Sequence, residues 1–200
     1  MARRRGRLGV FEPVRGGGAA IALDEVEISI LRSLLVSMLE LIGPGDPPPG
    51  EDDDPLAALF AEGPTKPPDD PALARLFPDA YEETEDASEF RRFTEKDLRT
   101  RKRDDALAMI HGLDLGGPVL QLTADQSRQW LGALNDLRLT LGARLEVGDD
   151  EDGEDGEGGG NGDGISSLYA LPDDDERKPL VMAYLWLGGL QESLVETLMK

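Results

Sequence analysis

One stretch, residues 123–147, limits the folds open to this chain more than any other. Thr123 and Gln126 are spaced as a capping box, in which each side chain satisfies a backbone N–H of the other's residue. Trp130, Leu134, Leu137, Leu141 and Leu145 then recur every three or four residues, the signature of one helix face. Leu131 and Leu139 widen that face. A helix so broadly apolar needs cover on most sides, so the rest of the chain is expected to pack around it. Asn135, Asp136, Arg138 and Arg144 interrupt the apolar run, and burial would force such groups to find partners.

Three other segments read as helices. Asp24 and Glu27 repeat the capping-box spacing, and residues 24–42 follow with a wide apolar face that Gly43-Pro44-Gly45 ends. Residues 88–111 place Phe90, Phe93, Leu98 and Ala108 on one side. Arg92, Lys96, Arg99 and Arg103 fall on the other, within about 60° of each other. Residues 178–198 form the last helix. Its Gly188-Gly189 pair costs about 1–2 kcal/mol against alanines, which predicts a close neighbour there, with Trp130 the candidate. A shorter helix is expected at residues 73–77. Short apolar stretches at 7–14 and 19–23 flank a glycine triplet and read as a hairpin, with Pro13 confining the first strand to an edge. A third strand is expected at 119–122. The predicted fold class is mainly α (α+β): one helical domain over residues 1–200 with a small N-terminal antiparallel β-sheet, packed around Trp130 and Leu137.

Two segments stand apart. Residues 43–72 hold nine of the fourteen prolines and eight acids against one lysine, and read as an acidic linker with one helical turn at 55–60. Residues 148–164 hold eight acids, no base and no hydrophobic residue, too little to offset ordering entropy. They read as a disordered Gly/acidic insert, and no register in them fits a calcium loop. At −7 and −8 these segments supply most of the formal net charge of −20. The remainder is nearly balanced, so the low pI does not exclude a basic contact surface. Arg3, Arg4, Arg5 and Arg7 open the chain as a basic arm, read as a solvated terminus or a phosphate-contacting one.

There is no cysteine, which removes disulfides, thiolate metal sites and cysteine catalysis. His111 is the single histidine, and its place near a helix end suits contact with the last carbonyls. No nucleophile elbow, Walker loop or dinucleotide fingerprint appears. No signal-peptide pattern is visible, and the apolar runs are too short to span a bilayer. The expectation is a cytoplasmic non-enzyme with no cofactor, no metal and no membrane partner.

Two constellations remain as candidate sites. The stripe Arg92, Lys96, Arg99 and Arg103 reads as a solvated face, as a contact for an acidic protein partner (the chain's own acidic linker included), or as a phosphate contact. Asp97, Arg101, Asn135, Asp136, Arg138 and Arg144 read as a polar network tying two helices, with a small-ligand pocket or enzyme site as the alternative. Tyr184 and Trp186 are read as core, with a homodimer face as the other option.

Four segments together carry a resemblance: W-L-G-A-L-N-D-L-R-L-T-L-G-A-R-L, E-F-R-R-F-T-E-K-D-L-R, L-A-R-L-F-P-D-A-Y and Y-L-W-L-G-G-L-Q-E-S-L. They resemble an actinobacterial family mostly described as a domain of unknown function, some members as oxidative-stress transcriptional regulators. The resemblance covers nearly the whole chain outside the two acidic segments. It implies a cytoplasmic regulatory protein acting at promoters with a sigma factor. It also implies redox sensing through a cysteine pair, for which this chain has no residues. The functional expectation is therefore a non-enzymatic regulatory and protein-interaction protein, with transcription machinery as the partner. The alternative is a DNA-binding regulator using the basic helix face; several phosphate contacts would make its affinity fall steeply with salt.

Overall fold

The computed structural model describes residues 9–15, 17–44, 63–117, 119–147, 171–172 and 174–200. Among them are five helices and one three-stranded sheet. In chain order these are β1 (Glu12–Pro13), β2 (Ala19–Ile21), α1 (Glu25–Ile42), α2 (Pro71–Leu76), α3 (Thr84–Leu115), β3 (Leu120–Leu122), α4 (Ala124–Arg144) and α5 (Lys178–Leu198). The mainly helical reading with a small antiparallel sheet holds. The basic arm, the helical turn at 55–60 and the acidic insert lie outside the described residues.

Helix α4 is the axis of the molecule, and α1, α2, α3 and α5 all pack against it. Its capping box forms as spaced: Thr123 Oγ1 accepts from the Gln126 N–H at 3.2 Å, and Gln126 Oε1 accepts from the Thr123 N–H at 2.9 Å. Trp130, Leu134, Leu137 and Leu141 are buried and meet Leu31, Leu35 and Met38 of α1, Met109 and Leu113 of α3, and Leu187, Leu190 and Leu194 of α5 in one core. Fully burying such a side chain contributes about 1.5–3 kcal/mol. The helix ends at Arg144, before the expected 147, where the chain turns through Glu146 at a positive φ of 55°. The Asp24–Glu27 box likewise closes the start of α1. Tyr184 and Trp186 are half-buried against the core.

Helix α3 runs a turn further at each end than the spacing predicts. Glu85 and Asp86 occupy its first turn, where acids complement the positive end of the helix dipole. Gly112 does not stop it. A Cβ there would sit 3.1 Å from the Trp130 ring, so this glycine is the gap that admits the indole. The expectation that Gly188-Gly189 would serve Trp130 is thereby corrected: Gly188 faces the Arg138 guanidinium and Gly189 has nothing within 4 Å. Helix α2 starts earlier than expected because the Asp70 carboxylate accepts from the Ala72 and Leu73 N–H groups, with Pro71 at the first position.

The strand order is β1-β2-β3, antiparallel throughout, with Glu12 opposite Ala20 and Ala20 opposite Gln121. Pro13 does lie on an edge strand. The first strand is shorter than the 7–14 reading because the chain turns to meet α5. The Phe11 N–H donates to Ser193 Oγ at 3.4 Å, and Thr197 Oγ1 donates to the Phe11 carbonyl at 3.1 Å. The Phe11 ring meets Trp130 edge-on at 6.2 Å. At the hairpin's other end Gly18 has φ 106°, and a Cβ there would lie 2.2 Å from the Leu122 carbonyl oxygen. Only glycine fits.

Candidate functional site

Helix α3 carries most of the residues singled out from the sequence, and its sides differ. Two members of the basic stripe turn inward onto the end of α1, whose last turn has no basic residue of its own. Arg99 donates through Nη1 to the Ile42 carbonyl at 2.9 Å and lies over the Phe77 ring at 4.3 Å. Arg103 donates to the carbonyls of Gly43 and Leu39. The Ile42 and Gly43 carbonyls lie in the end region that the helix ladder leaves open, the Leu39 carbonyl already accepts from the Gly43 N–H at 3.1 Å, and both cations complement the negative end of α1. Arg92 lies over the Phe93 ring at 4.9 Å, and Lys96 is partly buried.

One constellation escaped the sequence reading. Arg91 and Glu95 are both buried and ion-paired; Arg91 also donates to the Phe77 carbonyl at 2.9 Å and to Asp79 at 2.8 Å. Arg99 closes the set on Glu95 at 2.8 Å. Burial opposes the Arg91 charge, and the hydrogen bonds and charges of Asp79 and Glu95 outweigh it, raising its pKa. Its Nε is buried with no hydrogen-bond partner among the described residues. The i, i+4, i+8 spacing of Arg91, Glu95 and Arg99 was the available signal.

The polar network divides into three separate contacts. Asp136, buried on α4, pairs with Lys102 of α3 at 2.6 Å, and not with Arg101, which is exposed along with Asp97. Burial pushes the Asp136 carboxyl up against the pull of Lys102. Arg138 donates to Gln191 of α5 at 2.6 Å and lies over Tyr184 at 5.5 Å, while exposed Asn135 accepts from Gln191 at 3.4 Å. Arg144 reaches Asp70, the cap of α2, at 2.9 Å. Each contact joins α4 to a different helix. His111 is exposed one turn before the end of α3.

The side of α3 that reads as apolar faces water. Phe90 is 43% exposed, Phe93 63% and Leu98 37%, whereas Ala87, Arg91, Glu95, Ala106, Met109 and Leu113 are buried. Tyr81, also exposed, packs edge-on against Phe90 at 5.6 Å. Beneath Phe90 and Leu98 lies a cleft of about 60 Å³ bounded by Phe77, Pro78, Ala80 and Ala87. No cluster of metal-ligating side chains occurs among the described residues, and no helix there is long and apolar enough to cross a membrane.

The model of a domain of unknown function, DUF2017, matches residues 5–198. The chain belongs to this family. Two relatives, each named oxidative stress regulator AosR, come from Mycobacterium bovis and Mycobacterium tuberculosis strain H37Rv. Each is 28% identical over 187 residues, covering 86% of this chain and 78% of the relative. The actinobacterial resemblance read from the four segments agrees with these matches. No solved structure matches the chain.

Proposed function

We propose that this DUF2017 chain is a cytoplasmic, non-enzymatic regulatory protein of the oxidative-stress response that acts by binding a protein partner. The regulatory part rests on the names of its relatives. The observation that carries the interaction reading is the solvent-facing apolar side of α3, where Phe90, Phe93 and Leu98 are exposed and Tyr81, from the segment before the helix, packs on Phe90. Adjoining exposed apolar groups of this kind mark surfaces that a partner covers. The polar groups offer no comparable site: Lys102–Asp136, Arg138–Gln191 and Arg144–Asp70 tie helices together. Arg99 and Arg103 of the basic stripe are engaged with α1, which weighs against the DNA-binding alternative.

The test is affinity capture from native lysate with wild-type protein, with Phe90→Ser/Phe93→Ser, and with Arg92→Gln/Lys96→Gln, each with and without nuclease. A partner insensitive to nuclease and lost in the double-serine variant is the expected result. Nuclease-sensitive capture lost in the glutamine variant moves the assignment to nucleic acid. Identical captures for all three proteins remove the α3 interaction reading.

A further inference from the structure

We infer that Met182 and Met199 are the oxidant-reactive groups of this chain, thioethers that a peroxide converts reversibly to sulfoxides without unfolding the protein. This rests on the oxidative-stress part of the reading above and says where an oxidant acts. The chain has no cysteine, so its sulfur is carried by five methionines. Four of these are among the described residues, and the fold sorts them sharply. Met38 of α1 and Met109 of α3 are 1% and 0% exposed, both within the central core. Met182, near the start of α5, is 55% exposed, and Met199, which caps the end of that helix, is 82% exposed. Both reactive sulfurs thus belong to the last helix.

The chemistry is an oxygen transfer. The thioether sulfur attacks one oxygen of hydrogen peroxide, the O–O bond breaks, and an S–O bond forms as water leaves; sulfur is oxidised and the peroxide reduced. A methionine sulfoxide reductase runs the return step, in which a dithiol gives up two electrons, closes to a disulfide, and the oxygen departs as water. Burial decides what the oxidised group does to the protein. A sulfoxide at Met38 or Met109 would place a polar group in the core, where desolvation penalises it. At Met182 and Met199 water hydrates the new oxygen, so the fold persists and the group stays within reach of a reductase. The apolar side of α3 holds no methionine, so the oxidant and the proposed partner act on different surfaces.

The experiment treats the full chain with dilute hydrogen peroxide and follows each methionine by peptide mass mapping over time, in wild type and in Met182→Leu/Met199→Leu. Leucine keeps the apolar volume and removes the sulfur. Expected is sulfoxide at Met182 and Met199 at least about tenfold faster than at Met38 and Met109, as exposure dictates. A circular-dichroism melt taken once both exposed sites are oxidised should match that of untreated protein. Sulfoxide reductases supplied with dithiothreitol should then restore the unmodified peptides. The double-leucine variant should leave Met38 and Met109 unoxidised over the same period. Comparable rates at the buried and exposed sites overturn the inference. So does a clearly lowered melt, which makes the change a lesion, or a product that the reductases leave untouched. No partner enters this assay, so its failure is separable from that of the interaction reading. Oxidation as expected with no partner captured from lysate keeps the sulfur assignment alone, and resistance of Met182 and Met199 with capture intact does the reverse.

Discussion

Lys102 of α3 and Asp136 of α4 meet at 2.6 Å with only 14% and 4% of their side chains exposed. Asp105, one turn along α3, faces the same seam, its carboxylate against Gly132. Burial raises the Asp105 pKa, Arg101 opposes the rise, and the Asp136 charge adds to it. A carboxyl whose folded-state pKa lies above the unfolded value of about 3.9 binds its proton more readily in the folded protein. The cost of keeping it charged is present at neutral pH and disappears as pH falls through the folded pKa. Asp105→Asn is thus expected to raise stability at pH 7 by on the order of 0.5 kcal/mol, with the gain shrinking toward pH 4. Thermal melts of both proteins across that range check it; a gain independent of pH would rule out the buried charge as its origin.

Glu95 neutralises two arginines at once, one of them buried. Glu95→Ala leaves Arg91 without its buried counter-charge, a loss of about 3–5 kcal/mol in comparable sites. Urea denaturation should show the midpoint falling sharply. Replacing both partners, as Arg91→Met/Glu95→Leu, should recover part of that loss: the buried charges are gone, while Asp79 and Arg99, which lose their partners, are partly exposed to water.

Arg103 holds the end of α1 from another helix. Arg103→Ala removes charge-assisted hydrogen bonds to the Gly43 and Leu39 carbonyls, worth about 1.5–3 kcal/mol. Faster hydrogen exchange in the last turn of α1, with α5 unchanged, is the expected readout.

Two glycines should respond to alanine in opposite directions. Gly189 is helical with open space around it, so Gly189→Ala should stabilise by up to about 1 kcal/mol through helix propensity. Gly112→Ala brings the same propensity gain but puts a methyl 3.1 Å from the ring of Trp130, itself 1% exposed. The indole is held by the core and by Phe11, so a net loss is expected. Calorimetric melting temperatures of the two variants decide this.

The helices and the two capping boxes were legible because they are local: Thr123 with Gln126, and Asp24 with Glu27, fix their geometry within one turn. The side of α3 that faces inward was not. Periodicity assigns Phe90, Phe93 and Leu98 to the core, but burial there depends on α2, which brings the Phe77 carbonyl against Arg91. The basic stripe was visible as four cations on one side of a wheel. That two of them cap α1 depends on where that helix ends in space, some 60 residues away in the chain. Of the polar set, Asp136, Arg138 and Arg144 reach other helices while Asp97 and Arg101 stay exposed; the partner of Asp136, Lys102, is adjacent in sequence to Arg101, a rotation of about 100° on the helix.

The pairing of Phe11 with Ser193 and Thr197 spans more than 180 residues, and contacts of that separation form late. As the chain leaves the ribosome, α1, α3 and α4 can assemble while the first strand lacks its outer support. Until α5 arrives, the Phe11 N–H and carbonyl lack their Ser193 and Thr197 partners. Synthesis of this protein therefore carries a window of vulnerability to misassociation that closes only when its last helix docks.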